Sequence, residues 1–155
     1  MRRLILALCC LLTFAAASAS ATEGLTADEI RKPEMMARIF NAAAMIGAVG
    51  HCQVVLNHPN PDLVDEVAYD RLMRMLKPLA SNPDVEEVVT GVANLARYVM
   101  RSGELAQAVP KPEGPESFQV VERLTMNAGP VCQMVIDRLK AVMAPGGLLS
   151  PGRNL

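Results

Sequence analysis

Tryptophan is missing from this 155-residue chain, and its aromatics are limited to 3 phenylalanines and 2 tyrosines. Phe40, Tyr69, Tyr98 and Phe118 are too few and too scattered to make a row of stacking platforms for single-stranded nucleic acid. Basic residues are not in excess either. With 15 Lys and Arg against 16 Asp and Glu, the chain lacks the clustered positive charge that displaces counterions from phosphate backbones, so nucleic acid is excluded as a partner. Histidine is limited to His51 and His58, and none of the 4 cysteines belongs to a Cys-x-x-Cys motif for thiol exchange. No catalytic residue is assigned, and the expectation is that the protein is not an enzyme.

What is present begins at the N-terminus. Arg2 and Arg3 precede an apolar run from Leu4 to Phe14, and the small residues Ala15 to Ala21 follow it. These are the three parts of a secretory signal peptide, here residues 1–21. The run is shorter than the roughly 20 residues a membrane-spanning helix needs, so no transmembrane span is expected after cleavage. Ala19-Ser20-Ala21 is the preferred processing site and Ala17-Ser18-Ala19 the second; a lipidated Cys9 or Cys10 is the alternative, opposed by the bulk of Leu8 and Cys9. The expected location is periplasmic or secreted. Loss of Arg2 and Arg3 leaves 13 basic against 16 acidic side chains, a formal charge of −3.

Processing also leaves only Cys52 and Cys132, and an even pair in an exported chain reads as a disulfide. Two free buried thiols, or two ligands of one metal, are the competing readings. A bridge would require the two Cα atoms to lie within about 6 Å. The neighbourhoods of the two cysteines echo each other, Cys52-Gln53-Val54-Val55 against Cys132-Gln133-Met134-Val135, by coincidence or as a faint repeat.

Apolar spacing of three and four runs through most of the mature chain, so the expected fold class is all-α: a small bundle of about four main helices over residues 22–144, followed by a flexible tail, 145–155. Thr26 and Glu29 have the spacing of a capping box. Pro33 suits the first turn of a helix reaching about Leu56, whose uncharged middle, Ala42 to Gly50, should be buried on all sides. His58-Pro59-Asn60-Pro61 ends it. Asp62, Asp65 and Glu66 then open a third helix, and Val85, Val88, Val92, Leu95 and Val99 stripe a fourth that ends near Gly103. Pro110 to Pro115 reads as a loop. Phe118, Val121 and Leu124, then Val131, Val135 and Leu139, read as two helical pieces meeting at Asn127-Ala128-Gly129-Pro130.

Two functional readings follow. Methionine is abundant, nine residues once Met1 is lost with the leader, and thioethers are soft ligands for Cu(I). His51, His58, Met73 and Met75 are therefore the candidate ligands of a copper carrier. The same side chains fill irregular gaps in helical cores or repack against partners. Met35, Met36, Met73 and Met100 fit the core least obviously, and the preferred expectation is an adaptor, chaperone or inhibitor that binds another exported or membrane protein. Glu86 and Glu87 read as a solvated helix face.

Overall fold

A computed structural model of the protein describes residues 25–112, 114–127 and 129–151, with the backbone alone for 114–116. The expected leader, residues 1–21, lies outside the described residues, as does the end of the tail. The elements, in order, are α1 (Ala27–Ile30), α2 (Pro33–Val54), α3 (Val64–Leu76), α4 (Pro83–Ser102), β1 (Glu104–Lys111), β2 (Gly114–Thr125) and α5 (Gly129–Met143), with one 3₁₀ turn, Lys77–Leu79, after α3.

Helix α2 is the axis of the molecule. Every residue from Ala42 to Cys52 is buried, and α3, α4, α5 and β1 pack around it. Small side chains let the neighbours come close. A Cβ at Gly47 would collide with the backbone carbonyl of Ala96, so glycine sets the distance between α2 and α4 at their crossing. The capping box forms as its spacing implies: Glu29 N donates to Thr26 Oγ1 at 3.2 Å, and Thr26 N donates to Glu29 Oε2 at 2.9 Å. Asn82 caps α4 through Asp84 N, and Gly103, with φ +68°, stops it in the left-handed conformation.

The all-α expectation is wrong. Residues 104–125 form an antiparallel hairpin, and the fold is mixed α/β. Two local causes explain it. Pro110 and Pro112 forbid a helix through the end of β1 and the turn. In β2 the alternation of a strand is broken by a bulge: Glu122 pairs with Gln107 and Val120 with Ala108, which leaves Val121 without a partner. Phe118 and Val120 therefore share a face with Pro110 and Ala108, whereas Leu124 shares the opposite, buried face with Leu105. The resulting spacing of 118, 121 and 124 imitates a helix. Only the second expected piece, α5, is helical, with Pro130 in its first turn.

The chain also does not fray at Pro145. A turn through Gly146 and Gly147 returns Leu148 and Leu149 to the core at 4 % and 2 % exposure. Leu149 N donates to Val142 O at 3.0 Å, and Arg71 Nη1 donates to Leu149 O at 3.1 Å. An apolar pair after two glycines is short, but it is enough to dock when a half-buried arginine and a helix end await it.

Candidate functional site

Four of the residues singled out in the sequence, His51, Cys52, His58 and Cys132, lie around one corner, where the last turn of α2, the loop 55–63 and the first turns of α3 and α5 meet, whereas Met73 and Met75 stand in the last turns of α3. Cys52 and Cys132 are bridged there, with S–S 2.05 Å and Cα–Cα 5.7 Å, and both are fully buried. The free-thiol and shared-metal readings of the pair are thereby removed, and Cys52 is no nucleophile. Cys52 sits at the end of its helix and Cys132 at the start of its own, so the echo between their sequences is not a repeated helix pair.

His51 is 7 % exposed, and its ring is used structurally. Its Nδ1 lies 2.9 Å from Met100 O; a carbonyl only accepts, so Nδ1 carries the proton and caps the last turn of α4. The other side of the ring lies against Gly103, where a Cβ would stand 2.7 Å from Nε2. His58 is half-buried in the loop, its backbone N donating to Cys52 O at 2.8 Å. Met73 and Met75 are buried in the main core cluster, as thioethers filling gaps between helices. Among the described residues, no three His, Cys, Asp or Glu side chains gather closely enough to hold a metal ion. Of the four methionines that fitted the core least, Met100 alone is exposed; Met35 and Met36 are half-buried and Met73 is buried.

Sequence reasoning missed the residue that organises the corner, Asn60. It is 8 % exposed and uses its whole carboxamide. Nδ2 donates to Asp65 Oδ1 at 2.7 Å and to Gln53 Oε1 at 3.2 Å, and Oδ1 accepts from Val64 N at 3.2 Å. One side chain thus ties the last turn of α2 to the first turn of α3 and caps the latter. The signal in the sequence is an asparagine set between prolines just before an acidic helix start, a position that favours side-chain capping.

Directly over Asn60 the backbone is strained. Leu63, with φ +45° and ψ +47°, is left-handed, a conformation that costs a bulky residue about 1–3 kcal/mol and persists only where its surroundings fix it. Its N–H donates to Asn60 O at 3.1 Å, and its own carbonyl accepts from Val67 N at 3.0 Å. The effect is to turn an apolar side chain outward. Val54, Val55, Leu56, Leu63 and Val67 are all exposed, from 38 % at Val67 to 69 % at Val54. The corner is an elbow that presents aliphatic side chains on a covalently anchored, hydrogen-bonded base.

A second exposed apolar group, Phe118, Val120 and Val121, lies on the hairpin. There the inner edge is closed by Asn41, whose Nδ2 donates to Ala108 O at 2.8 Å and whose Oδ1 accepts from Ala108 N at 2.9 Å. Arg138 on α5 pins β2 by a two-pronged pair with Glu122, the second prong 3.1 Å long. That hydrogen bond and the arginine's charge hold the Glu122 carboxyl below its ordinary range. Strand β2 has no other strand on its outer edge among the described residues, but the bulge at Val121 interrupts the ladder that an added strand would follow.

No helix among the described residues is long and apolar enough to cross a membrane. No protein-family model, no curated protein and no solved structure matches this chain.

Proposed function

We propose that the protein is exported, to the periplasm or the exterior, and acts by binding another exported or membrane protein through the elbow between α2 and α3, as an adaptor, chaperone or inhibitor does. The observation that carries this reading is Leu63. Leu63 holds a strained conformation while its aliphatic side chain is exposed, next to a buried asparagine, and strain of this kind clusters at sites prepared for a ligand. Preparation matters because a partner then does not have to order the loop on binding. Export is supported by the leader pattern of residues 1–21 and is compatible with the bridge. Copper carriage draws no support from the burial of Met73 and Met75 or from the structural use of His51.

The test is site-specific photocrosslinking in cells, with the crosslinker placed in turn at Leu63, at Phe118 and at Glu86 on the solvated face of α4. The expected outcome is one discrete protein adduct from Leu63 and none from Glu86. Equal adducts from all three positions, or none from Leu63, would contradict the proposal.

A further inference from the structure

The charge around the elbow specifies the partner's chemistry. From His51 to Asp70 the chain carries four carboxylates, Asp62, Asp65, Glu66 and Asp70, and no lysine or arginine. Helix polarity accounts for part of this, because Asp65 and Glu66 stand in the first turn of α3, where the dipole favours anions. It does not account for Asp70, a turn further on. Val67 and Asp70 are spaced i and i+3, so they share one face of α3, with Glu66 at its margin and the left-handed Leu63 just before the helix start. Asp65 is turned toward Asn60, which leaves Asp62, Glu66 and Asp70 bordering the aliphatic group. Asp62 and Asp70 pair with Lys140 and Arg74, but their side chains are 63 % and 56 % exposed, and such surface pairs exchange partners at little cost. Glu66 has no ion pair among the described residues and is exposed.

We infer that the segment received by the elbow is cationic and amphipathic: aliphatic side chains that cover Val54, Leu56, Leu63 and Val67, flanked by lysine or arginine that meet Asp62, Glu66 and Asp70. This rests on the docking role proposed for the elbow and adds the sign of the partner's charge. Fixed charges at the rim of an apolar patch set partner choice and approach rate more than they add affinity, so the discrimination should be large at low salt and fade as salt screens it.

The experiment uses the oxidised protein, labelled with ¹⁵N, and three synthetic peptides with the same leucine spacing but lysine, glutamine or glutamate at the polar positions. The lysine peptide should shift the amides of Leu56, Leu63 and Val67 and bind about tenfold more tightly than the glutamine peptide, the effect of two or three exposed ion pairs. High salt should remove that difference. The double substitution Glu66→Lys with Asp70→Lys, on the surface, should invert the preference toward the glutamate peptide. If the lysine and glutamine peptides bind the elbow equally, the inferred charge is wrong while docking at the elbow stands. If no peptide shifts the elbow, or all of them shift Phe118 to Val121 instead, both are wrong.

Discussion

The elbow and the hairpin both expose aliphatic side chains, yet they are held in different ways. The elbow is tied at its base by a covalent bridge and by a buried asparagine with three hydrogen bonds, and it keeps a strained leucine facing water. The hairpin is fastened by side chains reaching from two helices, Asn41 and Arg138, and its open edge is interrupted by a bulge. On the proposed reading, exposed apolar area alone does not mark a binding surface. What separates the two is whether local structure opposes or permits burial by a partner. A bulged edge discourages strand addition, whereas a strained, anchored knuckle offers side chains in fixed positions.

The comparison can be broken most forcefully at the bridge. Replacing both Cys52 and Cys132 with serine opens a loop of sequence separation 80, and the chain-entropy model assigns such a closure about 4–5 kcal/mol. Urea melts should show a loss of that order, with the elbow's amides losing protection first. The next effect belongs to Asn60→Ala, which strands the buried Val64 N–H and removes a partner from the half-buried Gln53 and Asp65; about 1–3 kcal/mol should be lost. Hydrogen exchange should quicken at Leu63 and Val64 and stay unchanged in the hairpin. Asn41→Ala is the mirror experiment. It leaves the N–H and carbonyl of Ala108 without their partners, which should cost about 1–2 kcal/mol and raise exchange in β1 while the elbow keeps its protection.

The smallest effect is expected from pH. Hydrogen bonding and charge from Arg138 lower the Glu122 carboxyl below its ordinary value, so the pair's contribution is complete above the ordinary carboxylate range and is lost as pH falls through the depressed one. Both side chains are about one-third exposed, which makes that contribution small. An NMR titration should show amides of β2 moving with Glu122 while Leu56 and Leu63 do not follow it.

Residue chemistry explains which parts of the molecule could be read before the structure. The uncharged centre of α2 and the valine stripe of α4 depend on one pattern each; the pairing of Cys52 with Cys132 is the preferred of three readings, and the bridge bears it out. The hairpin is different, because its face-switching bulge at Val121 converts a period of two into an apparent period near three. The elbow was half visible. His58 to Pro61 announced a break in the chain, but nothing in a proline-flanked loop says that Asn60 turns inward to bind both helices or that Leu63 is left-handed. Leu148 and Leu149 were hidden for a similar reason: burial of so short a segment depends on where Gly146 and Gly147 turn it.

Whether the elbow is a fixed surface is tested most directly by ¹⁵N relaxation across residues 54–67 of the oxidised protein. Order parameters for Leu56, His58 and Leu63 should match those of α2 and α4, about 0.85 as in rigid backbone. Values below about 0.6, with the helices unchanged, would describe an ordinary flexible loop and contradict the proposed docking role.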